Sequence, residues 1–127
     1  MRIDIQRAYE PPGRDGHRVL VDRVWPRGRT KAQLKLTAWM KELGPSTTLR
    51  QWFAHDPRKW TEFKKRYRHE LAQPNQRRRL RELLQEARRG KLTLVYGARD
   101  ELHNQAVVLR DALMRRQSRS AKRFKRV

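Results

Sequence analysis

The sequence predicts a small single α/β domain with a mainly parallel sheet of about three to four short strands flanked by helices. Two short apolar runs, at residues 19–21 and 92–96, have the composition of strands that are covered on both faces. Longer segments between and after them repeat apolar residues every three or four positions, as amphipathic helices do. Alternation of such strands and helices favours a parallel sheet with helical crossovers.

The first part of the chain contains two predicted strands and one ambiguous segment. Residues 2–5 alternate isoleucine with polar side chains, which is the pattern of a short strand. Residues 18–24, RVLVDRV, form the second predicted strand, after which a proline and a glycine force a turn. Residues 30–43 fit either a helix or a short edge strand at residues 36–40, and both interpretations stay open.

Two helices are predicted in the middle of the chain. Ser46 or Thr47 can cap a short helix that closes at His55. Asp56 can cap the next helix, because its carboxylate accepts from free backbone amides and the following proline suits the first helical position. The spacings of three, four and four in this helix define one apolar face, made of Trp60, Phe63, Tyr67 and Leu71.

The last part of the chain is predicted to form a helix, a buried strand, a second helix and a tail. The first helix opens at Pro74 and ends at Gly90. After the strand at residues 92–96, the second helix is expected to begin between Glu101 and His103. We expect the domain to span residues 1–116, since residues 117–127 are basic, lack apolar periodicity and have the composition of a disordered tail.

The composition restricts the classes of protein and partner. Lys and Arg total 33 residues against 13 Asp and Glu, and the net charge of +20 favours polyanionic partners such as RNA or DNA. The absence of cysteine excludes disulfides, thiolate metal sites and cysteine nucleophiles, and fits a reducing compartment. Because the chain has no long apolar run and no signal-peptide pattern, we expect a cytoplasmic protein without a membrane partner.

Recognisable motifs for several enzyme classes are missing from the sequence. It contains no GxGxxG, no P-loop GxxxxGK[ST], no GxSxG and no HExxH pattern. We therefore predict no metal site, and the sequence names no cofactor. Whether the protein is an enzyme stays open at this point.

The candidate site gathers ionisable residues that follow the two apolar strands or stand at a helix boundary. Imidazoles can transfer protons while carboxylates orient them, so the candidate catalytic residues are His55, His103, Asp22 and Asp100. Guanidinium groups can grip phosphate and an indole can stack on a base, so the candidate ligand-binding residues are Arg23, Trp25, Arg27, Arg99 and Asn104. If the strands are parallel neighbours, these groups converge on one rim.

Structural roles compete with each of these functional interpretations. Asp100 is well placed to cap the last helix, as Asp56 caps an earlier one. Asp22 and Arg23 can form an ion pair that fixes their loop. A lone histidine is more often a structural hydrogen-bonding group, and Trp25 can pack beneath its own loop.

Basic residues suggest a second kind of surface, which follows a nucleic-acid backbone. They lie on the helix after Pro74 and in the tail. The candidate nucleic-acid-binding residues are Arg77, Arg78, Arg81, Arg88, Arg119, Lys122, Arg123, Lys125 and Arg126.

Three blocks together carry a family resemblance: VDRVWPRG at residues 21–28, HDPRKWTEFKKRY at residues 55–67 and YGARDELHNQAVVL at residues 96–109. They resemble the YeaO-like proteins of domain-of-unknown-function family 488, a group of small bacterial proteins. The resemblance implies a compact α/β domain and supplies no agreed biochemical activity. Gly97 stands where the resemblance leads us to expect alanine, a difference to which we assign little consequence, and the basic tail is an addition.

Two functions follow as predictions. The leading one is binding of an anionic ligand that contains phosphate or a nucleotide at the strand-end rim, with hydrolase or transferase chemistry left open. The alternative is a non-catalytic RNA- or DNA-binding protein that acts through its basic helices and tail. The sequence leaves the oligomeric state open.

Overall fold

The computed structural model describes residues 2–13, 16–88 and 90–125, with side chains as far as residue 119. These residues contain four strands and five helices, and helices separate the second strand from the third and the third from the fourth. The strands are β1 (Arg2–Arg7), β2 (His17–Leu20), β3 (Ala38–Trp39) and β4 (Lys91–Tyr96). The helices are α1 (Lys31–Leu34), α2 (Thr47–Phe53), α3 (Trp60–Leu71), α4 (Pro74–Ala87) and α5 (Gln105–Lys125), with 3₁₀ turns at Lys41–Leu43 and Pro57–Lys59.

The four strands form one sheet in the order β1-β4-β2-β3, and all three pairs are parallel. Leu94 of β4 lies opposite Ile5 of β1 on one side and Val19 of β2 on the other. The central position explains why residues 92–96 are all buried and read as a continuous apolar run. The predicted small α/β domain with a parallel sheet of three to four strands is confirmed.

The two faces of the sheet bury unequal cores. On one face, Val19, Leu94 and their same-face neighbours pack with the apolar stripes of α2 to α5. On the other, Leu20 and Val95 pack with Leu34 of α1 in a much smaller cluster. Successive strand residues point to opposite faces, so the apolar runs in β2 and β4 serve both cores.

The ambiguous segment contains both of the elements between which the sequence could not decide. A capping box forms in which Gln33 N donates to the Thr30 side chain and Thr30 N donates to the Gln33 side chain, and this starts the four-residue helix α1. Lys35 then takes a left-handed conformation with φ of 47°, which ends the helix and lets β3 pair with β2.

Strand β2 covers the first part of the segment RVLVDRV, where the apolar run at residues 19–21 predicts a strand. It ends at Leu20, and only the amide of Val21 continues the ladder, by donating to the Val95 carbonyl at 3.0 Å. Residue 22 onward turns away from the sheet towards a buried proline, Pro26.

The predicted start of the last helix was also wrong. Helix α5 begins at Gln105, and its capping side chain is that of Asn104, whose Oδ1 accepts from the amides of Ala106 at 3.0 Å and Val107 at 3.3 Å. Asp100 caps the turn before the helix instead, because its Oδ1 accepts from the amides of Leu102 and His103. Leu102, which fits the helical periodicity, lies outside the helix and is 72% exposed.

Helix α5 also continues past residue 116, where we expected the domain to end and a disordered tail to begin. Its backbone is helical as far as Lys125. Residue 116 therefore marks no boundary between elements, and the division of the chain into domain and tail stays a prediction.

The capping and packing predicted for α2 and α3 are confirmed. Ser46 caps α2, and Asp56 caps the 3₁₀ turn that precedes α3. Phe63 of α3 stacks on Phe53 of α2 with ring centroids 4.2 Å apart. Tyr67 is fully buried and its hydroxyl donates to the Leu43 carbonyl, which joins α3 to the segment that follows β3.

We expect Tyr67→Phe to lower the free energy of unfolding by about 1–3 kcal/mol, because it leaves the buried Leu43 carbonyl without this donor. Urea unfolding followed by circular dichroism measures the change. Tyr9→Phe is the matched control, since the Tyr9 hydroxyl donates to the Arg27 carbonyl in an exposed position where water can replace it. Equal losses in the two variants would contradict the role assigned to burial.

Candidate functional site

A cleft of about 290 Å³ opens beyond the carboxyl ends of β2 and β4. In open α/β sheets this is the edge at which ligands usually bind. The loop after β2, α2 with its flanking residues, α3, the loop after β4 and the start of α5 all contribute to it. We call it the Asp22 cleft, and it is lined by Asp22, Arg23, Val24, Trp25, Pro26, Arg27, Pro45, Arg50, Phe53, His55, Phe63, Gly97, Ala98 and Gln105.

Asp22 is the central polar group of the cleft. Its Oδ2 accepts from the Gly97 amide at 2.8 Å, and its Oδ1 accepts from the Gln105 side-chain amide. Burial raises the pKa of this carboxyl to about 6, while the bonds from Gly97 and Gln105 and the charge of Arg50 oppose the rise. The carboxyl therefore titrates near neutral pH, where most carboxylates stay ionised.

Gly97 matters more to this site than the sequence suggested. A methyl group on its Cα would lie 3.0 Å from Oδ2 of Asp22, closer than ordinary van der Waals contact. The same carboxylate accepts from the Gly97 amide. Alanine at this position would therefore require Asp22 to shift, whereas we had assigned the difference little consequence.

Two of the predicted ligand-binding residues have structural bonds. Arg23 donates from Nε to the Pro45 carbonyl at 2.6 Å and from Nη2 to the Gly44 carbonyl at 3.3 Å, so it holds the loop before α2. Trp25 donates from Nε1 to the Arg29 carbonyl at 2.6 Å, which confirms that it packs with its own loop. It also lines the cleft.

Positive charge lies at the mouth of the cleft. Arg27 and Arg50 both line it and are both exposed. His55 is exposed beside them, with φ of 56° after Ala54 at 48°, so two left-handed residues end α2 and turn the chain towards the cleft. The sequence did not indicate Arg50 or Gln105, because both belong to helices and reach the site only through the packing of those helices.

The predicted residues after β4 do not line the cleft. Arg99 is exposed, and Asn104 is the buried cap of α5. Asp100 Oδ2 lies 2.9 Å from His103 Nδ1, and the His103 ring packs edge-on against Trp60 at 5.3 Å. Bonds from the Leu102 amide and from His103 lower the pKa of Asp100. The expected rim is thus divided. Of the predicted site residues, those that line the cleft are Asp22, Arg23, Trp25, Arg27 and His55.

The predicted nucleic-acid-binding residues that the structure describes lie away from the cleft, on α4, at Arg88 just after it, and on α5. Those whose side chains are described are all exposed: Arg77, Arg78, Arg81, Arg88 and Arg119. Arg126 lies outside the described residues, as do the side chains of Lys122, Arg123 and Lys125.

No group of three or more His, Asp or Glu side chains is arranged to hold a metal ion among the residues that the structure describes. None of the described helices has the length and apolar character needed to cross a membrane.

Comparisons with known proteins give a family and no activity. Residues 2–126 match the family described as the inactive DUF488-N3 subclade. The uncharacterized protein YeaO of Escherichia coli K12 is 43% identical over 115 residues, which cover 89% of this chain and 97% of that protein. The uncharacterized proteins Mb3100c of Mycobacterium bovis and Rv3073c of Mycobacterium tuberculosis H37Rv are each 37% identical over 113 residues, covering 88% of this chain and 93% of theirs. No solved structure matches the chain significantly.

The raised pKa of Asp22 predicts how stability depends on pH. The folded protein binds this proton more tightly than the unfolded chain, so the free energy of unfolding falls as the pH rises from about 4 to about 6. Asparagine does not titrate, so the stability of Asp22→Asn should not fall in this way. As the pH rises from about 4 to about 6, we expect the free energy of unfolding of Asp22→Asn to increase by about 1–3 kcal/mol relative to that of the wild type. Urea unfolding of both proteins in a series of buffers measures the difference.

Asp56→Asn provides a control of opposite sign. Hydrogen bonds from Arg58 lower the pKa of Asp56, so its ionised form stabilises the fold above about pH 4 and this contribution is lost as the pH falls further. Parallel stability curves for the wild type and Asp22→Asn would show that Asp22 is not the group that titrates.

Proposed function

We propose, from the premise that this chain belongs to the DUF488 family in its inactive N3 subclade, that it binds a small phosphate-bearing nucleotide in the Asp22 cleft. The observation that carries the proposal is one cavity of about 290 Å³ in which a buried carboxylate, aromatic walls and exposed arginines meet. Apolar walls with a few convergent polar groups and one perturbed pKa are the usual form of a small-molecule site.

The inner part of the cleft suits a nucleobase. Trp25 is partly exposed and supplies aromatic surface, against which a flat ring packs favourably, while the nearly buried Phe53 and Phe63 make the adjoining lining apolar. Asp22 accepts one bond from Gly97 and one from Gln105, which leaves about two of the roughly four lone-pair positions of an ionised carboxylate. An acceptor of this kind matches adjacent N–H donors, and guanine carries such donors on its pairing edge.

The mouth of the cleft suits the phosphate of the same ligand. Arg27 and Arg50 stay charged at any working pH and offer paired donors to phosphate oxygens. Arg50 lies close enough to Asp22 for its charge to lower the pKa of that carboxyl. A nucleotide with its base at Asp22 therefore extends its phosphate towards positive charge.

The proposal is binding without turnover. Of the two candidate histidines, His103 is bonded to Asp100 outside the cleft lining, and only His55 stands at the cleft. The description of the subclade as inactive agrees with this reading. Hydrolase or transferase chemistry through His55 is the alternative, and it is tested by following the same nucleotide for conversion to product.

Isothermal titration calorimetry with guanosine 5′-monophosphate tests the proposal. We expect saturable binding by the wild type and about tenfold or greater weakening in the Arg27→Gln/Arg50→Gln double variant, because two charge-assisted contacts to phosphate are lost. Guanosine, which lacks phosphate, should bind both proteins equally. Asp22→Asn should weaken both ligands, since the acceptor for the base is changed.

Arg99→Gln/Lys65→Gln is the control matched for the loss of two charges, because both residues are exposed and lie outside the cleft lining. It should bind the nucleotide as the wild type does. Thermal unfolding of each variant establishes that the fold is kept. An absence of saturable heat at millimolar nucleotide, or equal affinity in the double variant and the wild type, would remove the proposed site.

A further inference from the structure

Five arginines from three helices line a second concave surface, which we call the arginine groove. Its volume is about 390 Å³, and buried Leu71 and Leu80 contribute apolar surface beneath the charges. The groove exists because α5 packs against both α3 and α4. Its arginines are Arg68 of α3, Arg77 of α4, and Arg115, Arg116 and Arg119 of α5.

Three of the five groove arginines are not paired with an acid in the part of the chain that the structure describes. Among residues 2–13, 16–88 and 90–125, no carboxylate lies within ion-pair distance of Arg77, Arg115 or Arg119. Other arginines of α3 and α4 do have acidic partners: Arg66 lies 3.1 Å from Glu62, and Arg78 lies 3.9 Å from Glu82. Positive charge is therefore concentrated in the groove and partly neutralised beside it.

The basic surface continues beyond the groove across α4. A shallower depression of about 220 Å³ adjoins it and is lined by Pro74, Arg77, Arg78, Arg81 and Arg116. Arg77 and Arg116 line both depressions, so the two form one path. Along α5, Arg115 and Arg119 are one helical turn apart, about 6 Å along the axis.

We infer that the arginine groove binds the phosphate backbone of a nucleic acid. Seven arginines, one of which (Arg78) is paired with Glu82, line the two connected depressions. This is more than one small anion can contact, and it matches a polymer with one negative charge per residue. The groove lining described here contains no aromatic side chain on which a base could stack. The contact is therefore to phosphates and carries no sequence preference.

This inference relocates the predicted nucleic-acid contact. The sequence indicated the outer face of α4 and a disordered tail, whereas the groove lies between helices and uses Arg68, Arg115 and Arg116, which the sequence analysis did not select. It does not depend on the nucleotide proposal, because the Asp22 cleft and the arginine groove share no lining residue.

The test compares two triple variants that each remove three positive charges from exposed positions. The groove variant is Arg77→Gln/Arg115→Gln/Arg119→Gln, and the control variant is Lys31→Gln/Lys65→Gln/Arg99→Gln, whose three positions are exposed and line neither depression. Glutamine has a helix propensity close to those of arginine and lysine, so the helices are kept. The probe is a fluorescently labelled oligonucleotide of mixed sequence, measured by fluorescence anisotropy as single strands and duplexes of RNA and DNA.

We expect the wild type to bind at low salt, and the groove variant to lose about tenfold or more of that affinity. The slope of log affinity against log salt should fall in magnitude by about 2 to 3, since each lost phosphate contact accounts for about 0.7 to 0.9. The control variant should keep the wild-type slope. The four probes identify which nucleic acid binds most tightly through the groove.

Three results would overturn the inference. Equal losses in the two triple variants would mean that net charge, and not the groove, attracts the polymer. No binding at low salt would remove the site. Unchanged oligonucleotide binding in the groove variant, together with lost binding to vesicles of anionic phospholipid, would assign the groove to a membrane surface instead.

Discussion

The burial of the Asp22 carboxylate is the constraint on which the functional end of this domain depends. A carboxylate removed from water is costly unless hydrogen bonds replace its hydration. Here the two donors come from Gly97 and Gln105, far along the chain and just beyond a different strand. One side chain thus joins the loop after β2 to the loop after β4 and to the start of α5. Its pKa is still raised, because these hydrogen bonds offset only part of the cost of burying the charge.

The unequal division of the core gives the two proposed sites their different characters. The larger core places α2 to α5 on one face of the sheet, so their polar stripes form most of the exterior on that side. Where the strands end, Phe53 and Phe63 of this core line the inner part of the Asp22 cleft. Where the helices meet each other, their arginines face a common groove.

The sequence predicted what depends on local pattern and missed what depends on packing. The apolar runs of β2 and β4, the stripe of α3 and the caps at Ser46 and Asp56 all follow from spacing and side-chain chemistry. The start of α5 did not, because Asp100 and Asn104 are equally good caps in isolation. Arg50, Gln105, Arg115 and Arg116 could not be found, since their neighbours lie on other helices.

The brevity of β3 has a consequence for self-association. An edge strand is a template for another chain only if it offers a row of free amides and carbonyls, and β3 has two residues. On that side of β2, the Thr37 amide donates to the Arg18 carbonyl and the Met40 amide donates to the Leu20 carbonyl, so neither carbonyl is open to another chain. The opposite edge, β1, carries charged Arg2 and Asp4. Both margins of the sheet therefore oppose the strand-by-strand growth that produces fibrils.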